Sequence, residues 1–137
     1  MMKTLHLLSG LLMMLLFIVS GQYLNFVLPP LEGTIDGNRM MYRAGHIYLM
    51  MAAAINIACG MYYTTFAAPL AAWLQRIGAV LLVASQPLLL WGFLLEPGNN
   101  TADRLYTQLG CFAIFAGIAV GFSGWAKQRL SERAGAG

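Results

Sequence analysis

Charge is what this sequence has least of. Only 9% of its 137 residues are Asp, Glu, Lys or Arg, against about a quarter in a soluble domain. A soluble chain this short cannot hide a composition that is 59% hydrophobic, because a large share of a small domain's surface stays exposed. A soluble globular fold is therefore excluded. The apolar–polar alternation of membrane strands is also missing. Each apolar run is far longer than the ~9–11 residues such a strand needs. Acidic residues are absent from every apolar run. A proton-coupled exporter needs a carboxylate within the membrane to exchange substrate for proton, so that class loses support.

Histidine and cysteine are scarce, with two of each. His6 and His46 are expected near opposite membrane faces. A hydrocarbon core about 30 Å thick then keeps them from sharing one haem iron. A haem held by His46 and a methionine is the remaining haem option, and it is disfavoured. Cys59 and Cys111 are expected at depths differing by roughly 15 Å, beyond the reach of a disulfide. Two free thiols follow, and neither has a base at motif spacing. Zinc patterns, phosphate loops, nucleophile elbows and internal repeats are not found. No metal site is expected, and an enzyme is the less favoured reading. Met40, Met41, His46, Met50 and Met51 cluster as copper(I) ligands can, but the spacing matches no metal motif. Nine methionines are simpler as adaptable packing.

What the chain does have is four long apolar runs, and a mean hydropathy of +0.67. A membrane helix takes about 20 mostly apolar residues. Lipid offers backbone groups no partner, so a spanning segment must be a helix or part of a closed barrel. The sequence thus predicts an all-α, four-helix transmembrane bundle forming one domain, 1–137. Its helices are expected at about 5–28, 39–63, 70–95 and 101–126. Pro29 and Pro30 end the first, since proline cannot continue a helix. Asp36 or Asn38 can cap the second, Pro69 suits the start of the third, and Asn100 or Thr101 can cap the fourth. The N-terminal run resembles a secretory signal peptide. Its apolar character continues past the usual 7–15-residue core, and we read it as a retained helix.

The formal charge of +3 invites a nucleic-acid partner, but the basic residues are dispersed. Lys3, Arg76, Lys127, Arg129 and Arg133 fall on one side of the expected topology, and Arg39, Arg43 and Arg104 on the other. The positive-inside rule places both termini in the cytoplasm. The expected location is a bacterial cytoplasmic (inner) membrane, as a multi-pass protein, with membrane lipids as surroundings.

Charge concentrates in "EGTIDGNRMMYRAGH", residues 32–46, the expected outer connection between the first two helices. Arg39, Arg43, His46 and Met50 follow helical spacing and form one stripe. Such a stripe can anchor a helix at the interface, or bind an anion, a headgroup or a quinone carbonyl, with His46 as donor. Gln86 is the tenth of the 19 residues Ile77–Leu95, near the expected midplane, and Pro87 frees the carbonyl of Val83. Asn56 lies at comparable depth, so a Gln86–Asn56 contact is feasible. It reads either as interhelical glue or as a polar spot in a ligand path. Ala113, Gly117 and Gly121 form a small-residue ridge on the fourth helix, and Ala52, Asn56 and Gly60 form another on the second. These ridges pack helices within the bundle, in a homo-oligomer or in a larger membrane complex.

Two functions follow as expectations. The first is a non-catalytic assembly or accessory component whose contact surface is loop 32–46. The second is a quinone- or lipid-binding redox or transport component, using Arg39, Arg43, His46, Asn56 and Gln86 in the outer half of the bundle.

Overall fold

A computed structural model describes residues 1–27, 37–97 and 103–134. It contains four α-helices: α1 (Met2–Val27), α2 (Gly37–Met61), α3 (Pro69–Leu95) and α4 (Leu105–Ala134). All four are long and apolar enough to cross a membrane, as the hydropathy runs lead one to expect. Pro29, Pro30, Glu32, Asp36, Asn100 and Thr101, and the side chain of Asn38, lie outside the described residues, and with them several expected caps. α4 differs most from the reading of the sequence. It starts at Leu105 and continues through "KQRLSER" to Ala134. A hydropathy scan stops at the edge of the apolar run. The backbone does not, because Lys, Gln, Arg, Leu and Glu are all good helix formers.

The helices run alternately up and down. α1 with α2, and α3 with α4, form two closely packed antiparallel pairs, joined mainly by contact between α2 and α3. Small residues make both pairings possible. A Cβ added at Gly60 would stand 2.9 Å from the backbone nitrogen of Leu7, and one at Gly10 would stand 2.9 Å from that of Ile57. A Cβ at Gly78 would meet the carbonyl of Gly117 at 2.7 Å and the nitrogen of Gly121 at 3.0 Å. Backbone thus lies on backbone across α3 and α4, the close approach that small residues permit between membrane helices. Gly117 and Gly121 belong to the expected ridge; their counterpart Gly78 does not stand out in the sequence. Leu49, Ala52, Ala53, Leu82, Leu89, Phe93 and Ile114 fill the seam between the pairs.

Proline acts at both ends of its range. Pro69 opens α3 at its first turn, where its missing N–H costs nothing. Pro87 lies inside the same helix. At the opposite end of α3, Glu96 is buried and accepts hydrogen bonds from the backbone N–H and the Oγ1 hydroxyl of Thr107. Thr107 is the third residue of α4, so a carboxylate at the C-cap of α3 satisfies one of the orphan amides of α4 and meets the positive end of its dipole.

Candidate functional site

His6 is 1% exposed and Asn56 is fully buried. Their side chains meet, His6 Nδ1 lying 2.7 Å from Asn56 Oδ1. The Asn56 amide also donates to the carbonyls of Ala52 at 3.0 Å and Leu82 at 3.1 Å. Those two bonds use both hydrogens of Nδ2, so Oδ1 can only accept. His6 Nδ1 must therefore carry the proton. In the neutral ring, Nε2 then holds a lone pair, and it has no hydrogen-bond partner among the described residues. One asparagine thus joins α1, α2 and α3 and fixes the tautomer of the histidine.

His6 forms part of the wall of an open cleft of about 480 Å³ between the two helix pairs. All four helices contribute to it, α2 through Cys59, α3 through Gly78 and Leu82, and α4 through Gly117, Gly121 and Trp125. The glycines that bring α3 and α4 together also leave space here, because they have no side chains. Tyr63 completes the wall, its ring 6.0 Å from that of His6. Burial pushes the Tyr63 phenol above its ordinary pKa, and the Arg76 cation pulls it partly back. The phenol therefore stays protonated at neutral pH and can donate or accept.

The connection between α2 and α3 lines this end. Gln75 accepts from the N–H of Phe66 at 3.3 Å and donates to the carbonyl of Thr64. Gln128, from the last turns of α4, accepts from the N–H of Ala68 at 3.0 Å.

The residues singled out in the sequence fall into three places. His46 stacks on Phe17 with ring centroids 4.1 Å apart, and its Nδ1 is 3.0 Å from Ser20 Oγ. The Ser20 hydroxyl donates to the carbonyl of Phe17 at 2.9 Å, so it accepts from His46 and fixes that tautomer as well. Arg43 and Met50 are exposed, and Arg39 is half-buried. Asn56 belongs to the His6 site, ten residues and roughly 15 Å along α2 from His46. Gln86 is 4% exposed and its Nε2 is buried with no hydrogen-bond partner among the described residues. Its expected partner, Asn56, spends its hydrogen bonds on His6, Ala52 and Leu82. The five residues grouped in one outer polar site are thus not brought together. Cys59 and Cys111 are free thiols.

Sequence reasoning passed over His6, Gln75, Gly78 and Glu96 as site or packing residues. For His6 a signal existed: an ionisable residue within an apolar helix is by default a functional candidate. No family model matches the chain, and no curated protein or solved structure is significantly similar to it.

Proposed function

We propose that this protein is a multi-pass membrane protein that binds a hydroxyl-bearing amphiphile in the chamber beside His6. The start of α1 and the end of α4 lie on the cytoplasmic side in this reading. Charge supports that orientation. The His6 end carries five basic residues, Lys3, Arg76, Lys127, Arg129 and Arg133, whereas the other end carries three, Arg39, Arg43 and Arg104. A bacterial cytoplasmic membrane is the location proposed.

The observation that carries the binding reading is the fixed His6 tautomer on the wall of a cavity large enough for a small ligand. With Nδ1 donating to Asn56, Nε2 of the neutral ring accepts a hydrogen bond, which suits a hydroxyl better than a carbonyl. Leu82 and Trp125 offer an apolar surface to the rest of the molecule. Quinols and single-chain lipids both have this form. Binding rather than catalysis is proposed.

The test is mass spectrometry of lipids and quinones extracted from purified protein. A hydroxyl-bearing amphiphile should accompany the native protein and be lost from His6→Phe at equal protein yield. Identical extracts from both would sink the proposal. A second reading, an accessory subunit of a larger membrane assembly, rests on α4. That helix packs mainly on α3 and turns Phe112, Phe115, Ile118 and Phe122 outward. Reproducible co-purification of one membrane protein would favour it.

A further inference from the structure

The chamber beside His6 has a neighbour. A second, larger hollow of about 850 Å³ lies at the same end and includes Lys3, Arg76, Thr65 and Val80. The two spaces share Tyr63 and Thr64. Their characters differ. The space beside His6 is walled by His6, Leu82, Trp125 and helix glycines, while its neighbour has two cationic side chains and two threonines. No acidic residue lines either space among the described residues. The acid on this side, Glu132, is 3.5 Å from Arg129 and serves that cation instead. Lys3 precedes His6 by three residues on α1, so the cationic level and the histidine level differ by about 4.5 Å along the helix.

We infer that the two spaces form one site for a single-chain anionic amphiphile, whose phosphate sits between Lys3 and Arg76 and whose chain enters the chamber past His6. This rests on the binding reading above and names its ligand class. Arg presents a fork of donors that matches a phosphate, and Lys adds a point charge. The hydroxyls of Tyr63, Thr64 and Thr65 can fill remaining acceptor positions on the phosphate. A hydroxyl close to the phosphate, as in a monoacyl glycerophospholipid, then falls about one helical turn deeper, at the level of His6 Nε2. A chamber of about 480 Å³ is at the small end of ligand cavities, which favours one chain over two. Lys127, Arg129 and Arg133 share the membrane face but not the hollow, so topology alone does not account for placing Lys3 and Arg76 with Tyr63.

The experiment is native mass spectrometry of the full chain released from detergent. Three probes are added at equal concentration: a monoacyl phosphatidylglycerol, a monoacyl phosphatidylcholine of the same chain, and inorganic phosphate. The anionic lipid is expected to be retained roughly tenfold or more over the zwitterionic one, given about 1 kcal/mol for each basic residue near a charged headgroup. That preference should vanish in Lys3→Gln/Arg76→Gln and survive in Lys127→Gln/Arg129→Gln. Arg76→Lys, which keeps the topological charge, should retain part of it and guards against misfolding of the double variant. Equal loss in both double variants would mean bulk attraction and overturn the inference. So would inorganic phosphate competing as strongly as the lipid, which would make the hollow a site for free phosphate. Equal retention of both lipids, abolished by His6→Phe, would overturn the phosphate assignment and leave the binding reading standing. Retention of no lipid overturns both.

Discussion

His6 and Asn56, fifty positions apart in sequence, share a hydrogen bond of 2.7 Å in the interior of the bundle. The bond is the sum of two constraints. Asparagine has one acceptor left after bonding Ala52 and Leu82, and histidine must supply a donor to it. The ring is thereby held with its other nitrogen free for a ligand. The pair links helix packing to chemistry, since whatever moves α2 against α3 also moves the histidine.

A double-mutant cycle on His6→Ala and Asn56→Ala should show a coupling between about 0.6 and 1.7 kcal/mol, the average and the maximum found for hydrogen bonds between membrane helices. Reversible unfolding in mixed micelles provides the readout. Strictly additive losses would mean that the bond contributes nothing.

Gly78 and Gly121 make opposite predictions although both line the α3–α4 contact. A methyl at Gly78 meets backbone atoms of Gly117 and Gly121 that cannot turn aside, whereas one at Gly121 meets nothing within 4 Å. Gly78→Ala should destabilise by about 1–3 kcal/mol, as overpacking does. Gly121→Ala should be silent. Thermal unfolding in detergent distinguishes them, and equal melting temperatures would contradict the packing described.

Glu96 should matter more than its neighbour Asp103. Replacing Glu96 by alanine leaves Thr107 without its cap, a loss of about 0.5–2 kcal/mol by analogy with other helix caps. Asp103 is exposed, and surface changes of that kind are usually within about 0.5 kcal/mol. If Asp103→Ala lowers the melting temperature as far as Glu96→Ala, the cap is not stabilising.

Gln86→Leu should hold or raise stability. The native amide leaves a buried donor unpaired, and such a group costs about 1–3 kcal/mol. The variant removes that cost at similar volume. A marked fall in stability on the same thermal assay would show that the amide has a partner in the membrane-embedded protein.

The four helices were legible because hydropathy alone defines them. Pro69 at the first turn of α3 was legible for a similarly local reason: the missing N–H of proline costs nothing there. The pairing of Asn56 was not. In a soluble protein, periodicity tells which face of a helix is inside. Here lipid-facing and core-facing positions are both apolar, so Leu12 and Met13 look alike in sequence although one is 60% exposed and the other 4%. The rotation of α2 about its axis was therefore undetermined, and with it whether Asn56 faced Gln86 or His6. Topology alone set His6 aside as a residue near the membrane face. The rotational setting of each helix decides what a residue touches, and it is not written in composition.

The seven residues between Met61 and Pro69 have a mechanical role that their length conceals. The link is fastened at Thr64 and Phe66 by Gln75 of α3, and at Ala68 by Gln128 of α4. The loop is thereby pinned to both helices of the second pair. Tyr62, Tyr63, Thr64 and Phe66 of this loop also line the space beside His6. The last turns of α4, the part of the helix that extends beyond its apolar run, thus help to hold one wall of that space in place.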